Sequence, residues 1–131
     1  LAELEENKSD WKTLSEKPVS KLRALDYKSF SQGGSFYYKE YNGDIVNVLL
    51  SKNSWTETFK DGTKSNLLFL PKTNNEFDLE FIESNNEMRT NFSVKVEIYR
   101  YGIYAKENDE LFVWVISKEK QFLGFKLYKK Q

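Results

Sequence analysis

The sequence predicts a mainly β protein, an antiparallel up-and-down barrel of about eight strands with an N-terminal α-helix, in one domain over residues 1–131. Three observations carry this. Asn42-Gly43 and Asp61-Gly62 each separate short runs of alternating apolar and polar residues, and such dipeptides accept the positive φ angles of tight type I′ hairpin turns. A β-meander over residues 25–129 follows from the way short apolar runs keep alternating with brief polar breaks. Past residue 36 no connection is long enough for the crossover of a two-sheet sandwich, so sequential strands pair and close into a barrel.

Taken in order, Leu1, Leu4, Trp11 and Leu14 are spaced by three or seven and lie on one helical stripe, which predicts a helix within residues 1–16. Pro18 ends it, and the stripe packs on the barrel as a lid. Residues 19–30 read both ways: Val19, Leu22 and Leu25 suit a helix, whereas Leu25 and Tyr27 suit a first strand, the expectation for the second half. Gln32-Gly33-Gly34-Ser35 is a flexible break. Phe36–Tyr41 and Ile45–Ser51 flank Asn42-Gly43 as a hairpin. Trp55, Glu57 and Phe59 share one face of the next strand, with Thr56 and Thr58 on the other. After Asp61-Gly62 the run Leu67–Leu70 is closed by Pro71, which cannot donate to a ladder. Phe77, Leu79 and Phe81 alternate with Asp78, Glu80 and Ile82, and Asn85-Asn86 turns the chain. A long strand over Met88–Tyr104 changes facing parity between Ile98 and Tyr99, which predicts a bulge there, with further curvature at Gly102. Leu111–Ile116, the Lys118-Glu119-Lys120 turn and Phe122–Lys129 complete the meander.

Composition narrows the function. Lys and Arg total 20 against 20 Asp and Glu, so there is no net basic field for nucleic acid, which is not expected as a partner. With no cysteine and no histidine, disulfides, thiolate chemistry, the commonest general base and the commonest transition-metal ligand are all missing. No calcium-loop spacing and no phosphate-binding glycine loop occurs, and no cofactor is expected. No apolar run approaches the roughly 18 residues of a transmembrane helix. The chain begins at Leu1 rather than Met, which is read as a mature secreted, periplasmic or cell-surface anchored domain. Absence of cysteine suits that compartment and a reduced cytosol alike.

Aromatic residues form 16% of the chain, enough to line a cavity or to fill a barrel. Tyr38, Tyr99 and Tyr101 combine an apolar body with a hydrogen-bonding tip, and Trp55, Phe59 and Trp114 supply further rings. Glu57, between Trp55 and Phe59, is the best candidate for a buried carboxylate. Paired with Glu80 or Asp78 it resembles a glycosidase dyad only weakly, since alternating acids usually mark a wet strand face, and no enzyme is expected. Arg100 points a guanidinium into the core as an anchor for a ligand carboxylate if its strand runs straight, and to solvent if a bulge precedes it, the latter being favoured. Arg89 reads as surface.

A leading helix followed by an eight-strand antiparallel meander resembles the lipocalin-like (calycin) small β-barrels in layout, over nearly the whole chain. The usual Gly-x-Trp is replaced by Asp10-Trp11-Lys12, and Glu107-Asn108-Asp109-Glu110 stands where a late Thr-Asp-Tyr would. The resemblance implies non-enzymatic binding of a small hydrophobic or amphipathic molecule inside the barrel. A protein-interaction module with a filled core (an inhibitor, an immunity protein or a surface lipoprotein domain) and a carbohydrate-binding β-sandwich are the alternatives.

Overall fold

The structure, a computed structural model, describes residues 7–86 and 97–130. Among these described residues nine strands and one helix follow in order: β1 (Lys12–Leu14), α1 (Ala24–Ser31), β2 (Gly34–Lys39), β3 (Ile45–Ser51), β4 (Ser54–Thr58), β5 (Lys64–Pro71), β6 (Glu76–Ser84), β7 (Ile98–Glu107), β8 (Glu110–Ile116) and β9 (Phe122–Lys129). Each strand from β2 to β9 pairs antiparallel with the next, and β9 returns to β2 through Phe36↔Lys129 and Tyr37↔Tyr128. The eight strands thus close into an up-and-down barrel, which rules out the sandwich. Where β2 diverges from β9, β1 takes its place on the same edge, with Lys12 opposite Gly124 and Leu14 opposite Phe122.

Period-two alternation sets the inner face. Val46, Val48 and Leu50 of β3 are buried while Ile45 and Leu49, of the opposite parity, are exposed. The same parity turns Phe77 and Leu79 of β6 and Phe125 and Leu127 of β9 inward.

Both Gly-containing turns form hairpins, but not as two-residue I′ turns. Gly43 and Gly62 have φ of 94° and 87°, whereas Asn42 and Asp61 are not among the positive-φ residues. Gly43 N–H donates to Glu40 O (2.8 Å) and Glu40 N–H to Asp44 O (2.8 Å), and Phe59, Gly62 and Thr63 repeat the pattern. This is a type I turn followed by a glycine in the left-handed region, the three-residue hairpin loop.

The expected N-terminal helix is not formed over residues 7–16, and residues 1–6 lie outside the described residues. Local side-chain bonds replace helical ones: Asn7 Oδ1 accepts from Ser9 N–H (2.9 Å) and Ser9 Oγ accepts from Trp11 N–H (3.0 Å). Trp11 Nε1 donates to Lys39 O (2.8 Å) and Lys8 N–H to Tyr41 O (2.9 Å), tying this segment to the barrel seam. The helix is instead α1, where the second half of residues 19–30 was expected to be a strand. It lies across the end of the barrel from which β2 departs. Phe30 projects between Phe36, Phe69 and Phe77 at centroid distances of 5.5, 5.7 and 5.5 Å, and Tyr27 Oη donates to Glu76 O (2.5 Å). Leu25, which suggested both readings, is 73% exposed.

Residues 87–96, with most of the first half of the expected Met88–Tyr104 strand and Arg89, lie outside the described residues. From Ile98 the register with β6 is regular, so no bulge separates Ile98 from Tyr99. The irregularity lies between Ile103 and Ala105, next to Gly102. There the strap between β1 and α1 takes up the backbone: Ser20 Oγ donates to Ile103 O (2.8 Å) and Lys21 N–H to Tyr104 O (2.8 Å).

On the outer face Tyr128 stacks on Tyr37 (4.8 Å) and donates to Asp10 Oδ2 (2.6 Å). Burial, then the Asp10 carboxylate, push the Tyr128 phenol well above its ordinary value near 10, and burial also raises Tyr27 and Tyr104. A phenol with a raised folded pKa contributes stability that is complete below about pH 10 and lost as pH rises further. The urea midpoint should therefore fall progressively above about pH 10, and Tyr128→Phe should flatten that decline. Parallel pH profiles for the two proteins would contradict the assignment.

Candidate functional site

The barrel is filled at one end and hollow at the other. Phe30, Phe69 and Phe77 pack the half beneath α1, and Phe77 lies parallel to Tyr101 at 5.1 Å. Above this aromatic floor is a cavity of about 620 Å³, at the end bearing β1 and the turn after β2. That volume falls in the range of small-molecule sites, about 300–1,000 Å³.

Its wall is built from inward positions of many strands. Tyr38 of β2, Trp55 and Glu57 of β4, and Tyr99 and Tyr101 of β7 all contribute, and Leu67, Leu79 and Phe125 supply aliphatic and aromatic surface. Glu57 is the polar centre. Its Oε2 accepts from Tyr38 Oη (3.0 Å) and from Trp55 Nε1 (3.2 Å), so two rings of the wall are held by one carboxylate. Trp55 also stacks on Phe77 (5.9 Å) and on Phe69 (6.4 Å), which couples the polar centre to the filled half. Ser65 Oγ donates to Ser84 Oγ (2.7 Å) across β5 and β6.

At the rim Lys118 forms an ion pair with Glu97, next to Tyr99. Burial, reinforced by the Glu97 carboxylate, raises the Tyr99 phenol above its ordinary value. At the β9–β2 seam Trp11 stacks on Phe125 at 4.4 Å and meets Tyr38 edge-on at 6.5 Å.

Of the eight residues the sequence singles out, Tyr38, Trp55, Glu57, Tyr99 and Tyr101 meet around this cavity. Phe59 is inward but belongs to the buried core cluster rather than the cavity wall. Arg100 and Trp114 are on the outside of the barrel. Arg100 donates to both Asp78 oxygens and to Glu76 Oε1 (3.0 Å), and Lys17 Nζ reaches Glu76 Oε2 (2.6 Å). Trp114 lies over Gly102, with Lys17 Nζ 5.1 Å from its ring centroid and Phe122 edge-on at 5.5 Å. Asp78, considered as a partner for Glu57, therefore faces the other side of the sheet, and Glu80 shares its outward parity. The carboxylate pair is not assembled.

Trp11 was not singled out for the cavity, because its apparent helical stripe hid its place before β1. Leu79 and Phe125 were legible as inward residues, and only the way the eight strands curve shows that they border empty space.

No family model, curated protein or solved structure matches the chain. Among the described residues no group of three or more Asp or Glu side chains is placed to hold a metal ion, and no helix is long and apolar enough to cross a membrane.

Proposed function

We propose that this protein is a lipocalin-like carrier, binding a small amphipathic molecule in the hollow half of its barrel. The observation behind this reading is the cavity itself, about 620 Å³ between aromatic walls, with one carboxylate, Glu57, ordered by Tyr38 and Trp55. Apolar walls with a few fixed polar groups are how proteins hold such ligands, the apolar area providing affinity and the polar group orientation. Nothing in this arrangement calls for chemical change of the ligand.

The test is titration with the neutral fluorophore N-phenyl-1-naphthylamine, beside native mass spectrometry of protein purified from its own host. One-to-one binding is expected. Leu67→Trp, which projects an indole into the cavity, should weaken it at least about tenfold while stability changes by no more than about 1–3 kcal/mol. No binding by the wild type, with no co-purified molecule, would sink the carrier reading and leave the outer surface as the working face.

A further inference from the structure

The end of the barrel closed by α1 gathers cations. Among the described residues from 19 on, the connections that meet there carry Lys21, Arg23, Lys28, Lys52, Lys72 and Lys130 against Asp26 and Asp109. The strand ends beside them add Lys106 and Lys129 against Glu107. These elements are tied into one surface. Tyr27 of α1 donates to Glu76 O beside the β5–β6 turn, Gly33 lies against Leu50 O near the end of β3, and Lys130 N–H donates to Ser35 O (2.9 Å). Asp26 is taken up by Arg23 (2.9 Å) and Lys106 (3.6 Å). Glu76 and Glu110, which open β6 and β8, are paired with Lys17, Arg100 and Lys126. Since the chain as a whole is neutral, a cationic excess here leaves the remainder equally negative, and the field of the molecule turns this end toward an anionic surface.

The same end exposes aliphatic side chains. Val19 and Leu25 are 84% and 73% exposed, more than any other large apolar residue described, and they stand on either side of the buried Leu22. Asn75 of the β5–β6 turn fixes this corner by donating to Ser20 Oγ (2.9 Å) and Leu22 O (3.1 Å). The barrel takes Phe30 of α1, while Leu25, Lys28, Ser29 and the C-cap Gln32, spaced by three and four, form the face turned to solvent. Aliphatic groups set among lysines suit a bilayer surface, where methyl groups enter the acyl boundary and ammonium groups stay at the level of the phosphates. The preference for lysine agrees with this: bidentate capture of a discrete phosphate uses arginine, whereas a diffuse headgroup field does not require it. The cleft beneath α1 measures about 50 Å³, far below the roughly 300 Å³ of a small-molecule site, so this end offers a surface and not a pocket.

We propose that the α1 end docks on the surface of a membrane containing anionic phospholipid, with Val19 and Leu25 entering the headgroup boundary and the lysines around α1 facing the lipid phosphates. The hollow end of the barrel then opens away from the bilayer, toward the aqueous side.

The experiment is co-sedimentation of the protein with large unilamellar vesicles of phosphatidylcholine, with and without about 30% phosphatidylserine. Partition is expected only with phosphatidylserine, falling at least about tenfold as salt is raised from about 0.1 to about 0.5 M. Lys28→Glu combined with Lys72→Glu should lower the partition coefficient at least about tenfold. Val19→Ser combined with Leu25→Ser should lower it at least about threefold. All four positions are exposed, so both variants should keep the wild-type thermal melt. Equal partition into the two kinds of vesicle, partition into neither, or partition unchanged by the paired lysine reversals overturns the proposal. Partition unchanged by the paired serine substitutions, together with equal retention of wild type and variant on heparin, assigns this end to polyanions and likewise overturns the bilayer reading. The naphthylamine titration tests the carrier reading separately, since the cavity lies at the other end of the barrel.

Discussion

Phe77→Ala is expected to lower stability by about 3–5 kcal/mol, a large part of the roughly 5–15 kcal/mol available to a domain of this size. Phe77 is 1% exposed and touches rings from four elements: Phe30 of α1 (5.5 Å), Phe69 of β5 (5.1 Å), Trp55 of β4 (5.9 Å) and Tyr101 of β7 (5.1 Å). The surrounding strands are hydrogen-bonded on both sides and cannot collapse inward, so the void left behind persists and its lining loses dispersion contacts. Because Trp55 and Tyr101 also line the cavity, the loss should reach the binding site. Urea unfolding measures the first effect and the naphthylamine titration the second. A midpoint shift equivalent to less than about 1 kcal/mol would show that Phe77 is not the centre of the packed half.

The second large effect belongs to a glycine. Gly102 of β7 sits directly opposite Trp114 of β8, and a Cβ there would fall on Cε2, Cζ2 and Nε1 of the indole. The ring has little room to retreat, being 3% exposed, with Phe122 at its edge and Lys17 above it. Gly102→Ala should therefore lift Trp114 off the barrel wall and cost about 3 kcal/mol, near the upper end for overpacking. With Trp11 and Trp55 replaced by Phe, leaving Trp114 as the sole indole, the same substitution should shift fluorescence emission to longer wavelength. Unchanged emission and stability would mean that the strand yields instead of the ring.

Much of the barrel was legible because its strands alternate cleanly. Phe122–Lys129 reads directly as Leu123, Phe125 and Leu127 against Gly124, Lys126 and Tyr128, and the structure forms β9 over those residues. The two Gly-containing turns located hairpins even though their type was misread, since a glycine at positive φ serves both kinds of loop. Reading failed where periodicity was ambiguous or misleading. Trp11 and Leu14 share a helical stripe on paper, yet Trp11 turns to Phe125 in the cavity wall and Leu14 packs over Gly124. In β8 every residue from Leu111 to Ile116 is apolar, so parity could not tell that Val113 faces in and Trp114 out. Parity also gives facing without depth: Phe59 and Glu57 share a face, but only Glu57 borders the cavity.

The shared edge of β9 has a consequence for how the chain reaches its native state. The hairpins from β2 to β6 and from β7 to β9 are local and can form early, each closing only a short loop. The ring, however, is sealed only when residues 12–14 find residues 122–124 and Phe36 and Tyr37 find Tyr128 and Lys129, all pairings of very long sequence separation. Such contacts are reached late and set a slow pace for folding. Until β1 docks, part of the β9 edge is an unpaired ladder open to a strand from another molecule. The three residues Lys12–Leu14 thus guard the nascent barrel against joining its neighbours, a task separate from anything the finished cavity does.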